Sequence, residues 1–383
     1  TSRQVAANLT IEDMEVILAP MMEDGKEAIG SMGDDTPLAV ITDKPRTISH
    51  FFRQNFSQVT NPPIDSLRER HVMSLKTRFS NLANILEEQS QNSHVLVLDS
   101  PVLLCEDWAR LKAAFGKAVA EIDCTFPADA SSDSLHAAIG RIRDEAEIAV
   151  RAGQTELFLS DEGVGPDRVG IAMVLAAAAV HTHLVRKGLR SYSSINVRTA
   201  ECLDPHYFAV LIGVGATTVN AYLAEACIVD RHARGLAGDL SLTNCLENYR
   251  HAINEGLLKI MSKMGIAVIS SYRGGYNFEA VGLSRAMVND LFPGMPSKIS
   301  GEGYASLQLN ALDRHRSAYD KAVVTLPIGG FYKQRAGGDA HAYTAQLIHL
   351  LQTAVSTDSY STYLQFSRGV SELPPVYLRD LLE

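Results

Sequence analysis

Residues 156–197 decide the predicted fold, and they read ELFLSDEGVGPDRVGIAMVLAAAAVHTHLVRKGLRSYSSINV. The opening run 156–160 is short and apolar and stops at a glycine-rich turn, which predicts a buried strand. A long apolar helix is predicted from about residue 168 to 187, where Gly188 supplies a left-handed end. A second strand is predicted at 192–197. Strand, helix and strand in this order predict parallel neighbours joined by a crossover.

The same alternation extends on both sides of this unit. Further strands are predicted at 94–98, 119–126 and 266–270. Further helices are predicted at 134–152, 207–212 and 244–264. Such alternation indicates a parallel sheet, either closed as a barrel or open and doubly wound. Because too few units are recognisable for a full barrel, we predict an α/β fold whose parallel β/α units form an incomplete, TIM-barrel-like domain with a mixed C-terminal extension.

The composition excludes several classes of protein. A chain of 383 residues with 46% hydrophobic and 21% charged residues has enough apolar sequence for one large or two ordinary domains. A net charge of −9 with scattered Lys and Arg argues against a nucleic-acid partner. Apolar runs are too short to predict a membrane span. Five irregularly spaced cysteines fit neither a disulfide framework nor a CxxC site, so we expect a cytoplasmic protein.

A domain junction is predicted where chain-breaking residues cluster. The segment FPGMP at 292–296 holds three breakers, and Gly301 and Gly303 follow closely. The predicted division therefore gives a first domain at 1–295 and a second unit at 296–383.

Polar residues after the predicted strands are the first candidates for chemistry, because parallel sheets bind ligands at the carboxyl ends of their strands. The loop 270–276 joins a predicted strand to a helix and offers flexible backbone amides and a guanidinium, which together suit an anion. The candidate anion-binding residues are Ser270, Ser271, Arg273, Gly274 and Gly275. The alternative is a tight βα turn whose arginine pairs with a neighbouring acid.

No other motif predicts a ligand site. The run 213–218 resembles a dinucleotide fingerprint, but Thr218 replaces the third glycine and a helix-like run precedes it. His181 and His183 are two residues apart on a helix and therefore point in different directions. The sequence also lacks a P-loop, a nucleophile elbow and clustered thiols. We predict no catalytic, cofactor-binding or metal-binding residues in this chain.

Three phrases resemble the large subunit of glutamate synthase. They are FFRQNFSQVTNPPIDSLRE at 51–69, YRHAINEGLLKIMSKMG at 249–265 with SSYRGG at 270–275, and LPIGGFY at 326–332 with GGDAHA at 337–342 and PPVYLRDLL at 374–382. The first two look like the central domain of that family, and the third looks like the lead-in to its flavin barrel. The resemblance implies that 1–295 is the central domain and 296–383 is the N-terminal part of the FMN-binding synthase domain.

The resemblance also implies an activity for the intact enzyme. Enzymes of this family hydrolyse glutamine at an N-terminal cysteine, pass ammonia through the interior and condense it with 2-oxoglutarate on FMN, and an iron–sulfur cluster belongs to the same subunit. This chain starts at Thr1 and its first cysteine is Cys105, so we expect both reaction centres to lie outside it. An NADPH-oxidising small subunit is the expected electron donor.

The central domain of this family joins the two reaction centres and helps to wall the ammonia tunnel. The tunnel residues implied by the resemblance are Thr60, Gln58 and Asn61. Pro62 and Pro63 stiffen the loop that carries them.

Two rival interpretations remain open. The first is a stand-alone α/β-barrel enzyme that binds a phosphate-bearing ligand at residues 270–275. The second is an interaction module that docks the small subunit.

Overall fold

The computed structural model describes residues 1–28, 34–57, 64–65, 67–79, 95–129, 133–319, 323 and 325–382. The strands are β1 (Phe52–Gln54), β2 (Thr77–Arg78), β3 (Val97–Leu98), β4 (Val119–Asp123), β5 (Thr125–Pro127), β6 (Glu156–Ser160), β7 (Arg168–Gly170), β8 (Ser194–Arg198), β9 (Thr218–Asn220), β10 (Phe278–Leu283) and β11 (Ile299–Glu302).

The α-helices are α1 (Ser2–Ala6), α2 (Ala19–Asp24), α3 (Glu69–Val72), α4 (Cys105–Phe115), α5 (Ser134–Arg151), α6 (Met173–Arg186), α7 (Pro205–Gly213), α8 (Tyr222–Ala233), α9 (Leu242–Met264), α10 (Ile269–Tyr272), α11 (Arg285–Leu291), α12 (Tyr304–Tyr319), α13 (Ala345–Ser356) and α14 (Tyr360–Ser371). A π-helical segment, Asp13–Leu18, leads directly into α2. Single 3-10 turns lie at Ile48–Phe51, Gly116–Ala118, Arg190–Tyr192 and Leu378–Leu381.

The central sheet contains β4, β6, β8 and β9, in that order and all parallel. Helices α5, α6 and α7 connect these strands in turn, so each strand lies beside its predecessor in the chain. A doubly wound sheet would reverse its order partway, whereas a TIM barrel progresses in one direction. Within the described residues the sheet ends at β9, whose outer side makes a parallel bridge to Val102. The predicted α/β fold with an incomplete, barrel-like sheet is confirmed.

One face of the sheet is apolar and helices cover it. Leu157 and Leu159 of β6 and Ile195 and Val197 of β8 are fully buried in the main core, against α5, α6 and α7. Helix α5 carries apolar residues near the 3.6-residue period, which explains why it is helical and which side it buries. Its buried residues are Leu135, Ala138, Ile139, Ile142, Ala146, Ala149 and Val150.

The opposite face of the sheet is also occupied. Phe158 alternates with its neighbours along β6 and therefore points to this face, where Trp108 of α4 packs edge-on with ring centroids 4.6 Å apart. Beside it, Asn196 donates to Glu156 at 2.9 Å and Thr218 donates to Asn196 at 2.6 Å, and all three are fully buried. In a barrel this face would line the interior, and here α4 and a polar ladder fill it.

A second sheet holds the region after the central sheet. β10 pairs antiparallel with β1 and parallel with β11, and β11 lies inside the predicted junction at 292–303. The later segment adds α12, which packs on α1 and α5, and the mutually packed α13 and α14. The division into 1–295 and 296–383 stays a prediction. None of the helices in the described ranges combines the length and apolarity needed to cross a bilayer.

Local predictions failed where strands are very short. Of residues 94–98, only Val97–Leu98 is a described strand, β3, which pairs with β2 outside the central sheet. The strand predicted at 266–270 is absent, because Val268 makes only an isolated bridge and α10 begins at Ile269. A helix was predicted to begin near residue 168, but residues 168–170 form β7, which pairs with β5. Strand β9, which pairs with β8, was not predicted. The strong helix at 244–264 is confirmed, and it ends at Gly265 with φ +67°.

A pair of isoleucines tests the importance of the covered apolar face. Ile195 is fully buried, whereas Ile148 on α5 is 68% exposed. Ile195→Ala should lower the free energy of unfolding by about 2–5 kcal/mol, because a buried side chain leaves a cavity. Ile148→Ala should change it by less than about 0.5 kcal/mol. Urea unfolding followed by circular dichroism measures both, and equal effects would contradict this assignment of the core.

Candidate functional site

Arg198, the last residue of β8, makes several contacts at the carboxyl end of the central sheet. Its Nη2 donates to Glu162 at 2.8 Å and its Nη1 donates to Asn220 at 2.9 Å. The guanidinium carbon also lies 5.8 Å from the ring of Trp108 and 5.1 Å from the ring of Tyr222. These contacts hold the cation inside the protein, so it is not a free anchor for a phosphate group.

A second acid and a cysteine lie behind Arg198. Asn220 donates to Glu225 at 2.8 Å, and the backbone N–H of Cys105 donates to the same carboxylate at 3.0 Å. Burial, reinforced by Glu225, raises the pKa of the Cys105 thiol to about 11. A thiol protonated at neutral pH is a poor nucleophile. The surroundings of Cys105 therefore suit a structural thiol and not a nucleophile.

Asp161 follows β6 directly and is buried at the same end of the sheet. It accepts hydrogen bonds from the Ala200 N–H at 2.9 Å and from the Thr199 hydroxyl at 3.0 Å. Burial raises the pKa of Asp161 to about 7. The carboxyl group thus ties the ends of β6 and β8 together. The polar groups described at this end of the sheet bond mainly to one another.

The predicted tunnel residues Gln58, Thr60 and Asn61 lie outside the described residues. The chain just before them is described, and the Asn55 N–H donates to the Asn277 carbonyl at 3.0 Å. Asn55 therefore lies beside Asn277, which directly follows the predicted anion-binding loop 270–276.

The predicted anion-binding loop divides into two environments. Ser270 and Ser271 are exposed residues of α10, and Gly275 is also exposed. Gly274 has φ +67°, and a Cβ added to it would lie 2.8 Å from the imidazole of His181. Arg273 turns inward, where its Nε and Nη2 are buried without a hydrogen-bond partner. Among the residues that the structure describes, no acid forms an ion pair with Arg273, contrary to the alternative of a paired turn arginine.

A cavity of about 720 Å³ was not predicted from the sequence. The described segments that line it include residues 42–51, the start of α7, α12 and residues 327–339. Its lining includes Glu12, Asp13, His50, Glu201 and Asp339. Because segments about 300 residues apart form its walls, no local sequence signal marks it. The Gly329-Gly330 pair was the one visible hint of a tight backbone approach.

Glu12 closes one wall of the cavity through a set of backbone hydrogen bonds. Its Oε2 accepts from the N–H groups of Gly330, Phe331 and Tyr332 at 2.7–3.1 Å, and its Oε1 accepts from the Lys333 N–H at 2.8 Å. Burial pushes its pKa upward, but these four bonds prevail and hold the pKa of Glu12 below its usual value. We call this contact the Glu12 clamp.

Some other polar groups around the cavity also have partners. Arg46 forms a buried ion pair with Asp339 and lies 4.0 Å above the ring of Phe331. The Tyr207 hydroxyl donates to Glu201 at 2.6 Å. Burial, with help from Arg46, lowers the pKa of His50 to about 4, so this imidazole is neutral at pH 7.

No group of three or more His, Cys, Asp or Glu side chains suited to a metal ion occurs within the described ranges.

A family model described as "Glutamate synthase central domain" matches residues 2–284. This chain belongs to the glutamate synthase family.

Two bacterial relatives are much longer than this chain. The glutamate synthase [NADPH] large chain of Azospirillum brasilense is 59% identical over 381 residues, which cover 100% of this chain and 25% of the relative. The protein of the same name from Bacillus subtilis is 37% identical over 383 residues, covering 99% and 25%. Other relatives are named for NADH or ferredoxin. The chain thus spans about a quarter of the length of these two relatives.

Solved structures share a remote likeness with the chain. The flavin-binding domain of baker's yeast flavocytochrome b2 is 14% identical, with a TM-score of 0.32, over 53% of this chain and 47% of that one.

The Glu12 clamp should make stability depend on pH. Because the folded-state pKa of Glu12 lies below its ordinary value of 4.5, the stabilisation is present above that value and is lost as pH falls through the folded pKa. Glu12→Gln should cost about 1–3 kcal/mol at pH 7, because its amide N–H₂ faces N–H donors. The cost should shrink as the pH falls below 4.5.

The exposed Glu23 of α2 provides the matched control. Glu23→Gln should leave the urea midpoint nearly unchanged at both pH 7 and pH 4. A Glu12→Gln penalty that stayed constant across this pH range would rule out the carboxylate as the stabilising group.

Proposed function

We propose that this chain is the connecting segment of glutamate synthase, between a glutamine-hydrolysing part and an FMN-holding part, and that it makes no bonds itself. The intact enzyme would convert glutamine, 2-oxoglutarate and reductant into two glutamates. The family membership and the quarter-length coverage of the relatives support this proposal. The proposed boundaries are 1–295 for the central domain and 296–383 for the start of the FMN domain.

The observation that carries the proposal is the occupied carboxyl end of the sheet. Barrel enzymes bind substrates and phosphates at this end. Here Arg198 is held by Glu162 and Asn220, and Asp161 is held by Thr199. The face that would line a barrel interior is filled by Trp108 and Phe158. A scaffold has this arrangement, because its polar groups serve the fold.

The cavity supports a role in conducting ammonia. A passage for a small neutral amine needs walls that neither trap ammonium nor admit bulk water. The Glu12 carboxylate is bound by four backbone N–H groups, and Asp339 is paired with Arg46. Burial raises the pKa of Asp13, and its carboxyl group accepts hydrogen bonds from the Thr10 N–H and hydroxyl. We propose that the cavity belongs to the same passage as Thr60, Gln58 and Asn61.

The remaining proposals concern the whole enzyme. FMN and an iron–sulfur cluster would be held by the parts of the protein that this chain lacks. An NADPH-oxidising small subunit is the proposed partner, and the 59% identity to an NADPH-named relative favours this donor. The glutaminase and FMN domains of the same polypeptide would be the direct neighbours, and the proposed location is the cytoplasm.

Flavin binding separates this proposal from a stand-alone barrel enzyme. The 383-residue chain, purified and incubated with FMN, should show no saturable quenching of flavin fluorescence, because its own side chains fill the carboxyl end of the sheet. Saturable, stoichiometric FMN binding would contradict the proposal.

Thr60→Phe in the intact enzyme should uncouple the two half-reactions. A bulky ring in the passage should lower glutamine-dependent glutamate formation several-fold relative to glutamine hydrolysis, while synthesis from added ammonia changes less. Parallel assays of glutamine consumption and glutamate production measure the ratio.

Thr243, an exposed residue in the first turn of α9, provides the matched control. Thr243→Phe should leave the ratio near its wild-type value. A normal ratio in Thr60→Phe would remove that residue from the passage.

A further inference from the structure

Arg273 presents one complete edge of its guanidinium without a partner. The two nitrogens that are buried and unbonded are Nε and Nη2. Their N–H bonds point in the same direction, and this edge is the one that binds a carboxylate or phosphate through two parallel hydrogen bonds. The orphaned atoms are therefore one vacant bidentate fork.

A second arginine lies close to this fork. Arg190 donates from Nε to His181 Nδ1 at 2.9 Å, from Nη1 to the Ser193 carbonyl at 2.5 Å and from Nη2 to the Gly215 carbonyl at 2.9 Å. All three acceptors are neutral. Burial, and then the nearby charge of Arg273, lower the pKa of Arg190 to about 9. The two guanidinium groups thus share a buried region that has an excess of positive charge.

The neighbouring imidazole cannot neutralise these cations. Burial and the two arginines lower the pKa of His181 to about 3, so it stays neutral and accepts the Arg190 hydrogen bond through Nδ1. Its ring is confined between Gly215 and Gly274, where an added Cβ would come within 2.3 Å and 2.8 Å of it. His181 therefore keeps Arg190 in place and contributes no charge.

No acid among the described residues forms an ion pair with Arg273, and burial lowers its pKa to about 10. The charge of Glu156, whose carboxylate also accepts a hydrogen bond from Asn196, acts on Arg190. Burying a cation without a counter-charge is costly, and removing the cost requires an anion with bonds to the donors. Arg190 is held by neutral groups and Arg273 has two buried nitrogens without a partner, an arrangement that suits a bound anion.

We propose that Arg273 and Arg190 form a binding site for an oxyanion, which a carboxylate occupies by pairing its two oxygens with Nε and Nη2 of Arg273. His181, Arg190 and Arg273 are not among the residues that line the cavity. The site also differs from the loop predicted from sequence, because Ser270 and Ser271 lie exposed on α10 and Arg190 supplies a second positive charge. The carboxylate has two sources: a small free acid, or an acidic side chain from the rest of the longer polypeptide.

The test is a titration of the 383-residue chain with acetate and, separately, with inorganic phosphate, against chloride at equal ionic strength. The arginine Nε–H resonances in ¹H–¹⁵N spectra report binding, and Arg273 is assigned by its loss in Arg273→Gln. Wild type should show a saturable shift of the Arg273 signal and a rise in melting temperature. Arg273→Gln should weaken binding at least tenfold, and Arg273→Lys should also weaken it, because lysine keeps the charge but lacks the fork.

Arg110 is the matched control, since it forms a surface pair with Glu106 on α4 and is 72% exposed. Arg110→Gln should bind the anions as wild type does. The same titration on a protein of the relatives' full length separates the sources, because an internal side chain would block the added anion and a free acid would not. The absence of saturable, Arg273-dependent binding to the 383-residue chain would overturn the proposal, whatever the stability of the variants.

Discussion

The structure depends on burying the apolar face of the four-stranded parallel sheet beneath α5, α6 and α7. Leu157, Leu159, Ile195 and Val197 are withdrawn from water there, and each such side chain contributes roughly 1.5–3 kcal/mol. Fixing this face fixes the register of every strand, since a slip by one residue would turn the apolar set outward. The polar side chains at the carboxyl end and on the opposite face take their positions from that choice.

The sequence supported the fold class because its strongest signals are periodic and local. Strand β6 and helix α9 have nearly the predicted bounds, since a β-rich apolar run and a 23-residue amphipathic helix need little help from the rest of the chain. Strands β7 and β9 have three residues each, and their strand conformation comes from pairing with distant partners. The strand predicted at 266–270 failed for the converse reason, because its sequence favours β structure but it makes only one isolated bridge, between Val268 and Ser74.

The candidate sites were less accessible to sequence reasoning. Arg273 was singled out from its glycine-rich context, but its relation to Arg190 required the packing of His181 between two glycines. The cavity has walls from both ends of the chain, so its existence is a property of tertiary structure alone. The family resemblance was more informative than any single motif, because it rests on long phrases. It does not replace geometry, since Gln58, Thr60 and Asn61 lie outside the described residues.

The Glu12 clamp also limits the order in which contacts can form while the chain is being synthesised. The carboxylate and its four N–H partners are 318 to 321 residues apart. At a ribosomal rate of about 5–20 residues per second, the partners are synthesised roughly 16–64 s after Glu12. During that interval the β/α units of the central sheet can form in order, but the Glu12 clamp cannot form. Glu12 therefore reaches these native contacts only after residues 330–333 have been made.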